Sequence, residues 1–293
     1  MKSVNQINQR SKTLNIGGRL TDLSTPLVMG VLNVTPDSFF DGGNFTTESS
    51  ILNQVEKMLA EGASFIDVGG YSSRPGAKDV SEKEEANRSV NAVRLITKKF
   101  PTVTLSVDTF RSEVARQAVL EGAAIINDIS AGELDQKMFN TVASLKVPYI
   151  IMHMRGTPRT MKNLTDYKAL LKEITDYFHR KISALQALGV ADIIIDPGFG
   201  FAKTTEQNFH LLKHLDYFKI LDKPILAGLS RKSMICETLG TSPKDALNGT
   251  TALNMTALSK GASILRVHDV KEAIEGIKLF SKTIHNTILN INT

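Results

Sequence analysis

Short apolar runs of strand length alternate with longer stretches of helical spacing along most of the chain. Several of the runs are continuous in isoleucine, valine and leucine, which is typical of parallel strands buried on both faces. The pattern predicts eight strands, at residues 27–32, 65–68, 103–107, 124–127, 147–152, 192–195, 224–228 and 263–267.

Helical spacing and terminal signals predict helices between these strands. Ser112 is the expected N-cap of a helix over 113–121, which ends at Gly122. Gly17-Gly18, between two short alternating runs, predicts a β-hairpin in an N-terminal extension of residues 1–25. Three longer helices are predicted over residues 166–188, 208–221 and 243–260.

Eight strands that alternate with helices in one uninterrupted chain favour a closed parallel (β/α)8 barrel. The predicted fold class is therefore α/β, with one TIM-barrel domain over residues 1–293. A doubly wound open sheet is the alternative, but no G-x-G-x-x-G sequence follows the first strand. The catalytic groups of such barrels lie at the carboxyl ends of the strands, so the polar residues there are the candidates.

Composition narrows the class of protein further. Apolar residues make up 42% and charged residues 22%, as in soluble globular proteins, and no apolar run is long enough to span a membrane. The net charge is +5, but the basic residues are scattered, which disfavours nucleic acid and suits a small anionic substrate. The first residues lack a secretory signal and Cys236 is the only cysteine, so we expect a reducing cytoplasm and no intramolecular disulfide.

A polar side chain follows each of the eight predicted strands. A single aspartate or histidine at the end of a strand often only caps a helix, stabilises a loop or packs in the core. The prediction of an active site therefore rests on the fact that all eight strand ends meet at one rim of the barrel. The candidates are Asn33, Arg74, Asp108, Asn127, His153, Asp196, Lys232, Arg266 and His268.

These candidates fall into two chemical sets. One set combines hydrogen-bond acceptors, an amide and a cationic donor, which suits a flat heterocycle with N–H groups and a carbonyl. Its members are Asp108, Asn127, Asp196 and Lys232. The other set is cationic or neutral and suits a phosphate with its metal ion. Its members are Asn33, Arg74, Arg266 and His268.

The motifs at these strand ends resemble those of the dihydropteroate synthases, pterin-binding enzymes with a TIM-barrel fold, over nearly the whole chain. The first, M-G-V-L-N-V-T-P-D-S-F-F-D-G-G at 29–43, is highly specific when its spacing to the others is included. The others follow in the family's order: D-V-G-G-Y-S-S-R-P-G-A at 67–77, S-V-D-T at 106–109, I-N-D at 126–128, M-H-M at 152–154, D-P-G-F-G-F at 196–201, S-R-K-S at 230–233 and R-V-H-D at 266–269.

The resemblance implies a homodimeric, Mg²⁺-dependent transferase of folate biosynthesis. It would join 6-hydroxymethyl-7,8-dihydropterin diphosphate to p-aminobenzoate, give 7,8-dihydropteroate and release pyrophosphate.

The resemblance also assigns residues to each ligand. The pterin ring would contact Asp108, Asn127, Met152, Asp196 and Lys232. The diphosphate would contact Asn33, Ser73, Arg74, Arg266 and His268, and Asn33 would also touch Mg²⁺. The p-aminobenzoate site would be shaped by Ser73, Arg74, Pro75, Phe201, Lys232 and Ser233. The implied catalytic residues are Asn33, Arg74, Asp108, Lys232, Arg266 and His268.

Two segments depart from the family's usual motifs. The second loop most often reads Glu-Ser-Thr-Arg-Pro, whereas this chain has Tyr71 and Ser73 in place of the glutamate and threonine. Ala202 stands where a glycine is usual before Lys203. We expect altered affinity for the arylamine and for sulfonamides, with the chemistry retained. The first two loops, 33–45 and 70–80, are also expected to close over the substrates.

Two rivals share the pterin-binding barrel. One is a pterin-dependent methyltransferase that serves corrinoid proteins and has no diphosphate to bind. The other is a non-catalytic pterin-binding paralogue, which should have lost the anion and metal groups. The retained set of Asn33, Arg74, Arg266 and His268 disfavours both. A barrel enzyme that acts on a phosphosugar would be expected to have a glycine-rich phosphate-binding site after the seventh and eighth strands. The sequence of this chain lacks such a site.

Overall fold

The fold is taken from a computed structural model, which describes residues 13–35, 48–72 and 80–284. Its first element is an antiparallel hairpin of β1 (Thr13–Ile16) and β2 (Arg19–Asp22). Gly17 and Gly18 make the turn with φ of 58° and 84°, values that favour glycine at both positions. The hairpin predicted from the glycine pair is confirmed.

Eight parallel strands follow, one in or beside each run that the sequence predicts. They are β3 (Leu27–Asn33), β4 (Phe65–Gly69), β5 (Leu105–Asp108), β6 (Ala123–Asp128), β7 (Tyr149–Met152), β8 (Ile193–Asp196), β9 (Leu226–Ala227) and β10 (Ile264–Val267). The strand order is β8-β7-β6-β5-β4-β3-β10-β9. A bridge between Ile195 and Ile225 joins the two ends, and the Ile195 N–H donates to the Pro224 carbonyl at 3.0 Å. The predicted barrel is confirmed.

Helices cover the outside of the barrel. They are α1 (Glu48–Ala60), α2 (Glu82–Lys99), α3 (Ser112–Leu120), α4 (Met138–Leu145), α5 (Leu170–Ala187), α6 (Thr205–Lys213), α7 (Ser233–Leu239), α8 (Leu247–Ser259) and α9 (Val270–Ile284). Among these residues, no helix has the length and apolar character needed to cross a membrane.

The predicted helix boundaries need correction in four places. The helix predicted over 166–188 is α5, which begins only at Leu170. Ser112 is the first helical residue of α3, so its assignment as N-cap was wrong; the cap is Arg111, and the Ser112 N–H donates to the Asp135 carboxylate at 2.7 Å. The helix predicted over 208–221 is α6 followed by a 3-10 helix, Leu215–Leu221. The stretch 243–260 likewise opens with a 3-10 turn, Pro243–Asp245, before α8. Local polar side-chain contacts are described at two of these boundaries, the Ser112 N–H with Asp135 and the Ser242 hydroxyl with Asp245, and such contacts compete with the i to i−4 pattern.

The two-residue alternation of the strands explains where the polar groups lie. One residue from most strands joins an apolar layer at the lower end of the barrel, together with Leu14, Ile16 and Leu23 of the hairpin segment. The strand members of this layer are Met29, Phe65, Ile125, Ile150, Ile194, Leu226 and Ile264. Two residues further along each strand, the same face carries Val31, Asp67, Asn127, Met152, Asp196, Gly228 and Arg266.

A register shift helps to align the polar layer. Leu105 of β5 pairs with Ala123 of β6, but Ser106 pairs with Ile125, so β6 contains one extra residue at this point. Such a bulge resets the alternation of one strand relative to its neighbour. Beyond it, Asp108 and Asn127 are register partners and share a face. The barrel therefore has an apolar lower layer closed by the hairpin, and a polar layer above it.

Candidate active site

Arg266 connects two carboxylates of the polar layer. Its Nε donates to Asp67 Oδ2 at 2.7 Å and its Nη2 donates to Asp108 Oδ2 at 2.6 Å. Asp67 comes from the middle of β4, Asp108 from the end of β5 and Arg266 from β10, so residues far apart in sequence meet across the barrel. A planar guanidinium presents several N–H donors in fixed directions and can hold two acceptors at once.

Asn127 is also held by the carboxylate of Asp67. Its side-chain Nδ2 donates to Asp67 Oδ2 at 2.9 Å. Asp67 is fully buried, and its other oxygen, Oδ1, is buried without a hydrogen-bond partner in the described part of the chain. Three of the four residues in this network were predicted as site residues, and Asp67 was not.

Asp196 is held in place by its own loop. Its Oδ1 accepts from the Gly198 N–H at 2.8 Å, and the His153 N–H donates to its backbone carbonyl at 3.0 Å. Gly198 has a φ of 74°, and a Cβ there would lie 2.1 Å from the His153 carbonyl oxygen, so only glycine fits. The carboxylate is thereby fixed at the end of β8, where the sequence predicted it.

The buried side chain of Lys203 contacts the loop that follows β8. Lys203 Nζ lies 3.0 Å from the carbonyl oxygens of both Gly198 and Phe201 and 3.1 Å from His153 Nδ1. Burial lowers the pKa of Lys203 to about 7 and the pKa of His153 well below its usual value. The His153 ring also packs against Tyr177. The sequence left open whether His153 has a structural or a catalytic role. The structure favours a structural role, because the ring is buried in the core.

Burial also governs the charges of the polar layer. It raises the pKa of Asp108 to about 7, although the Arg266 cation acts in the opposite direction. It raises the pKa of Asp196 as well, against the Gly198 N–H that stabilises the carboxylate. Burial by itself would lower the pKa of Arg266. The neighbouring carboxylates of Asp67 and Asp108 have the larger effect and raise that pKa. Perturbed groups of this kind gather at functional sites because a site must be dehydrated to bind its ligand.

An apolar wall stands beside the polar groups. Met152 and Phe201 are both buried and belong to one cluster with residues such as Met154 and Ala202. Lys232 Nζ lies 4.5 Å from the centre of the Phe201 ring, a cation–π distance. Ser233 follows as the first residue of α7 and is exposed. An aromatic ring next to a cation on this wall suits a flat, electron-rich ligand.

His268 is braced by the neighbouring loop. Its Nδ1 lies 3.0 Å from Ser230 Oγ, and its backbone N–H donates to the same oxygen at 3.2 Å. The next residues are also paired, because Arg231 donates to both oxygens of Asp269, at 2.6 and 3.0 Å. Arg231 has a φ of 57°, an unusual value for a residue with a side chain. The loops after β9 and β10 are therefore joined by two adjacent contacts.

Asn33 lies beside the acidic end of the site. It pairs with Gly69 in register, and a Cβ on Gly69 would lie 3.8 Å from both Asn33 Oδ1 and Asp108 Oδ2. The glycine thus leaves room beside the Asn33 side-chain oxygen, while Asp108 Oδ2 is already paired with Arg266. An amide oxygen suits Mg²⁺, which takes few protein ligands and completes its shell with phosphate oxygens and water. Asn33 therefore fits such an ion as a single protein ligand.

Part of the predicted site lies outside the described residues. Ser73, Arg74 and Pro75 belong to this part, as do the central residues of both loops expected to close. Next to them, the Tyr71 ring packs edge-on against Phe110 with centroids 5.2 Å apart. The tyrosine that replaces the family's glutamate thus has an aromatic partner.

Four residues that contact the predicted site residues or their loops were not themselves predicted from the sequence: Asp67, Ser230, Asp269 and Lys203. A signal for Asp67 was present, because an ionisable residue in the middle of the buried strand Phe65–Gly69 needs a partner. Ser230, Lys203 and Asp269 lay within or beside recognised motifs, but nothing in the sequence states which side chain each one contacts.

Comparisons with known proteins agree with this geometry. The family model described as pterin binding enzyme matches residues 29–268. A dihydropteroate synthase of Synechocystis sp. is 45% identical over 247 residues, which is 83% of this chain and 85% of that protein. The dihydropteroate synthase of Escherichia coli is 41% identical over 269 residues, covering 91% and 95% of the two chains.

Solved structures show the same relationship. The Yersinia pestis dihydropteroate synthase in complex with a sulfonamide drug superposes with a TM-score of 0.88 at 40% identity, over 93% of this chain and 99% of that one. The Xanthomonas albilineans dihydropteroate synthase with 4-aminobenzoic acid superposes with a TM-score of 0.87 at 38% identity, over 94% and 99%. Because identity and coverage are both high, the chain belongs to the dihydropteroate synthase family of pterin-binding TIM-barrel transferases.

Proposed function

We propose that the chain condenses 6-hydroxymethyl-7,8-dihydropterin diphosphate with p-aminobenzoate, and that the polar layer of the barrel binds the pterin ring. The observation that carries the residue assignment is the convergence of Asp108, Asn127, Asp196 and Arg266 at the carboxyl ends of four strands. The products are 7,8-dihydropteroate and pyrophosphate.

The acceptors of the polar layer match the donor face of a pterin. Asp108 and Asp196 offer carboxylate oxygens to the ring N–H and amino groups, and Asn127 offers an amide. Lys232 supplies a donor for the ring carbonyl side, and Met152 packs against the ring. All five of these residues lie at or just beyond strand ends, where TIM-barrel enzymes place their catalytic groups.

The diphosphate is assigned to the cationic side of the rim. We propose that Arg266 and His268 bind it together with Arg74 and Ser73, and that Asn33 holds Mg²⁺ against it. When bound, Mg²⁺ would neutralise charge on the departing diphosphate oxygens. Ser230 supports this arrangement by holding His268 through both its ring and its backbone.

The p-aminobenzoate ring is assigned to the apolar wall. Phe201 and Lys232 already stack at a cation–π distance, and Ser233 lies directly after Lys232. Ser73, Arg74 and Pro75 are proposed to complete this site. The sulfonamide and 4-aminobenzoic acid named for the solved relatives support an arylamine as the second substrate.

The reaction breaks the bond between the pterin methylene carbon and the diphosphate oxygen, and the electron pair leaves with the diphosphate. Asp108 and Asp196 favour the positive charge that develops on the pterin side because they are fixed acceptors in a dehydrated layer. The neutral amine of p-aminobenzoate attacks the methylene carbon and then loses a proton. An arylamine is unprotonated near pH 7, so positioning and fixed charges supply most of the acceleration.

A turnover assay tests this proposal. The purified chain is mixed with the pterin diphosphate, p-aminobenzoate and Mg²⁺, and 7,8-dihydropteroate is followed by mass spectrometry, with Asp196→Ala and a chelator as parallel arms. We expect product from the wild type and a loss of turnover on the order of 10- to 100-fold in Asp196→Ala, because a buried charged hydrogen bond is removed. Chelation should also suppress turnover.

The assay has two contrary outcomes. Saturable binding of the pterin diphosphate without product would favour the non-catalytic paralogue. No binding of the pterin diphosphate would contradict the assignment of the polar layer to a pterin.

Two further properties concern the assembly and the compartment of the protein. We infer a homodimer through barrel helices, as the family resemblance implies, which light scattering of the purified chain would measure. We also infer a reducing compartment such as the cytoplasm, because Cys236 is the only cysteine and is free.

A further inference from the structure

We propose that Asp67 is a positioning residue that sets the orientation of the Asn127 amide and the direction of the Arg266 guanidinium. The inference deepens the proposed function and rests on it, because both partners of Asp67 are assigned there to the pterin diphosphate. Asp67 would act through these two residues without touching the reacting atoms.

The Asp67 carboxylate allows only one orientation of the Asn127 side-chain amide. An ionised carboxylate only accepts hydrogen bonds, so the Asn127 group that faces Asp67 Oδ2 at 2.9 Å must be the NH₂. The Asn127 carbonyl oxygen then points away from Asp67. Asn127 therefore presents an acceptor, which selects a ligand with an N–H donor at that position over one with a ring acceptor.

The same oxygen fixes the arginine. Oδ2 accepts from Arg266 Nε at 2.7 Å, while Arg266 Nη2 reaches Asp108 at 2.6 Å. Two contacts on two different nitrogens define the plane of the guanidinium. Without Asp67, Arg266 would keep one contact and could rotate about it. A single oxygen thus couples an amide on the pterin side to a cation on the diphosphate side.

The register neighbours of Asp67 give no other reason for a carboxylate at this position. Asp67 is fully buried, and its Oδ1 has no hydrogen-bond partner among the described residues. Its register partners, Val31 on β3 and Ser106 on β5, carry no charge. A buried acceptor without a partner costs stability, whereas Oδ2 is paired with Asn127 and Arg266, the two residues assigned to the ligand. We therefore assign the carboxylate to the positioning of these two residues.

Asp128 offers a matched control. It is also fully buried and lies next to Asn127, but it faces the other side of β6, where it accepts from Ser130, from the Gly132 N–H and from Tyr149. Asp128→Asn removes a buried charge at the same height of the barrel without disturbing Asn127 or Arg266. Asp67→Asn removes the charge from the positioning oxygen and keeps the shape of the side chain.

The experiment compares wild type, Asp67→Asn and Asp128→Asn. Calorimetric titration gives the affinity for the pterin diphosphate, steady-state kinetics give kcat and both KM values, and thermal unfolding gives the midpoint. For Asp67→Asn we expect affinity for the pterin diphosphate to fall about tenfold or more and kcat to fall with it, while the KM for p-aminobenzoate changes by less than about threefold. For Asp128→Asn we expect a lower midpoint with pterin affinity within about twofold of wild type.

The outcomes separate the possible errors. Wild-type affinity in both folded Asp67→Asn and folded Asp67→Ser would overturn the positioning role, because the amide oxygen of the first can still accept from Asn127 and Arg266 whereas the serine hydroxyl is too short to replace Oδ2 in both contacts. Equal losses of affinity in both variants, in step with their midpoints, would also overturn it and leave Asp67 a structural residue. A wild type that fails to bind the pterin diphosphate would instead contradict the proposed function. If Asp67→Asn does not fold, Asp67→Ser removes the same charge with a smaller side chain and gives the same readouts.

Discussion

Burial decides the charge of the aspartates in the polar layer. The pKa of Asp108 is raised to about 7 because desolvation outweighs the nearby Arg266 cation. A ligand N–H or an additional cation that enters the site favours the ionised carboxylate, so ligand binding and ionisation of Asp108 should be coupled.

This coupling predicts that affinity for the pterin depends on pH. Affinity should rise as pH increases through about 7, because the ionised form of Asp108 accepts from the ring. In the free protein, the raised pKa has the opposite effect on stability: the contribution of Asp108 to folding declines as pH rises toward 7. Titration calorimetry at several pH values measures the affinity. In Asp108→Asn the affinity should be lower and this pH dependence should disappear; an unchanged pH profile in that variant would assign the ionisation to another group.

The sequence could predict which residues meet in this layer but not which of them touch. The strand-end rule placed Asp108, Asn127 and Asp196 together because the rim of a parallel barrel is shared by all strands. The partner of Asn127 depends on side-chain direction and on the bulge between β5 and β6. The sequence pattern revealed neither, so Asp67 was recognised only in the folded structure.

Among the elements, the loops after β9 and β10 act as one unit. Ser230 contacts His268 and Arg231 contacts Asp269, so the two loops are linked at successive residues. The order of the motifs predicted that both loops reach the rim. Their cross-connection could not be predicted, because the sequence does not state side-chain partners and because Arg231 has a left-handed backbone, a conformation that a non-glycine residue rarely adopts.

The link predicts a specific loss in Ser230→Ala. Removal of the hydroxyl removes the two contacts that Ser230 makes with the His268 ring and backbone, so the KM for the pterin diphosphate should rise roughly fivefold, as expected for the loss of about 1 kcal/mol of hydrogen bonding. Steady-state kinetics measure the effect. Ser242→Ala is the control, because that hydroxyl contacts only Asp245 on the surface among the described residues, at 2.6 Å. Equal effects in the two variants would mean that Ser230 does not position His268.

Across the whole molecule, the barrel has one closed end and one functional end. The hairpin covers the lower apolar layer with Leu14 and Ile16, and the Asn15 N–H donates to Asp192 at 3.0 Å. The fold followed from the sequence because buried parallel strands show as apolar runs of fixed length. Helix boundaries were less accurate, since periodicity does not record local contacts such as those of the Ser112 N–H with Asp135 and of Ser242 with Asp245.

A crystal structure of the chain with the pterin diphosphate bound would show whether the polar layer binds the pterin. We expect the pterin ring between Asp108, Asn127 and Asp196, with its carbonyl toward Lys232 and its diphosphate on the side of His268. We also expect the Asn127 carbonyl oxygen to face a ring N–H. A ring bound elsewhere, or a diphosphate placed among the carboxylates, would show that the polar layer is not the pterin site.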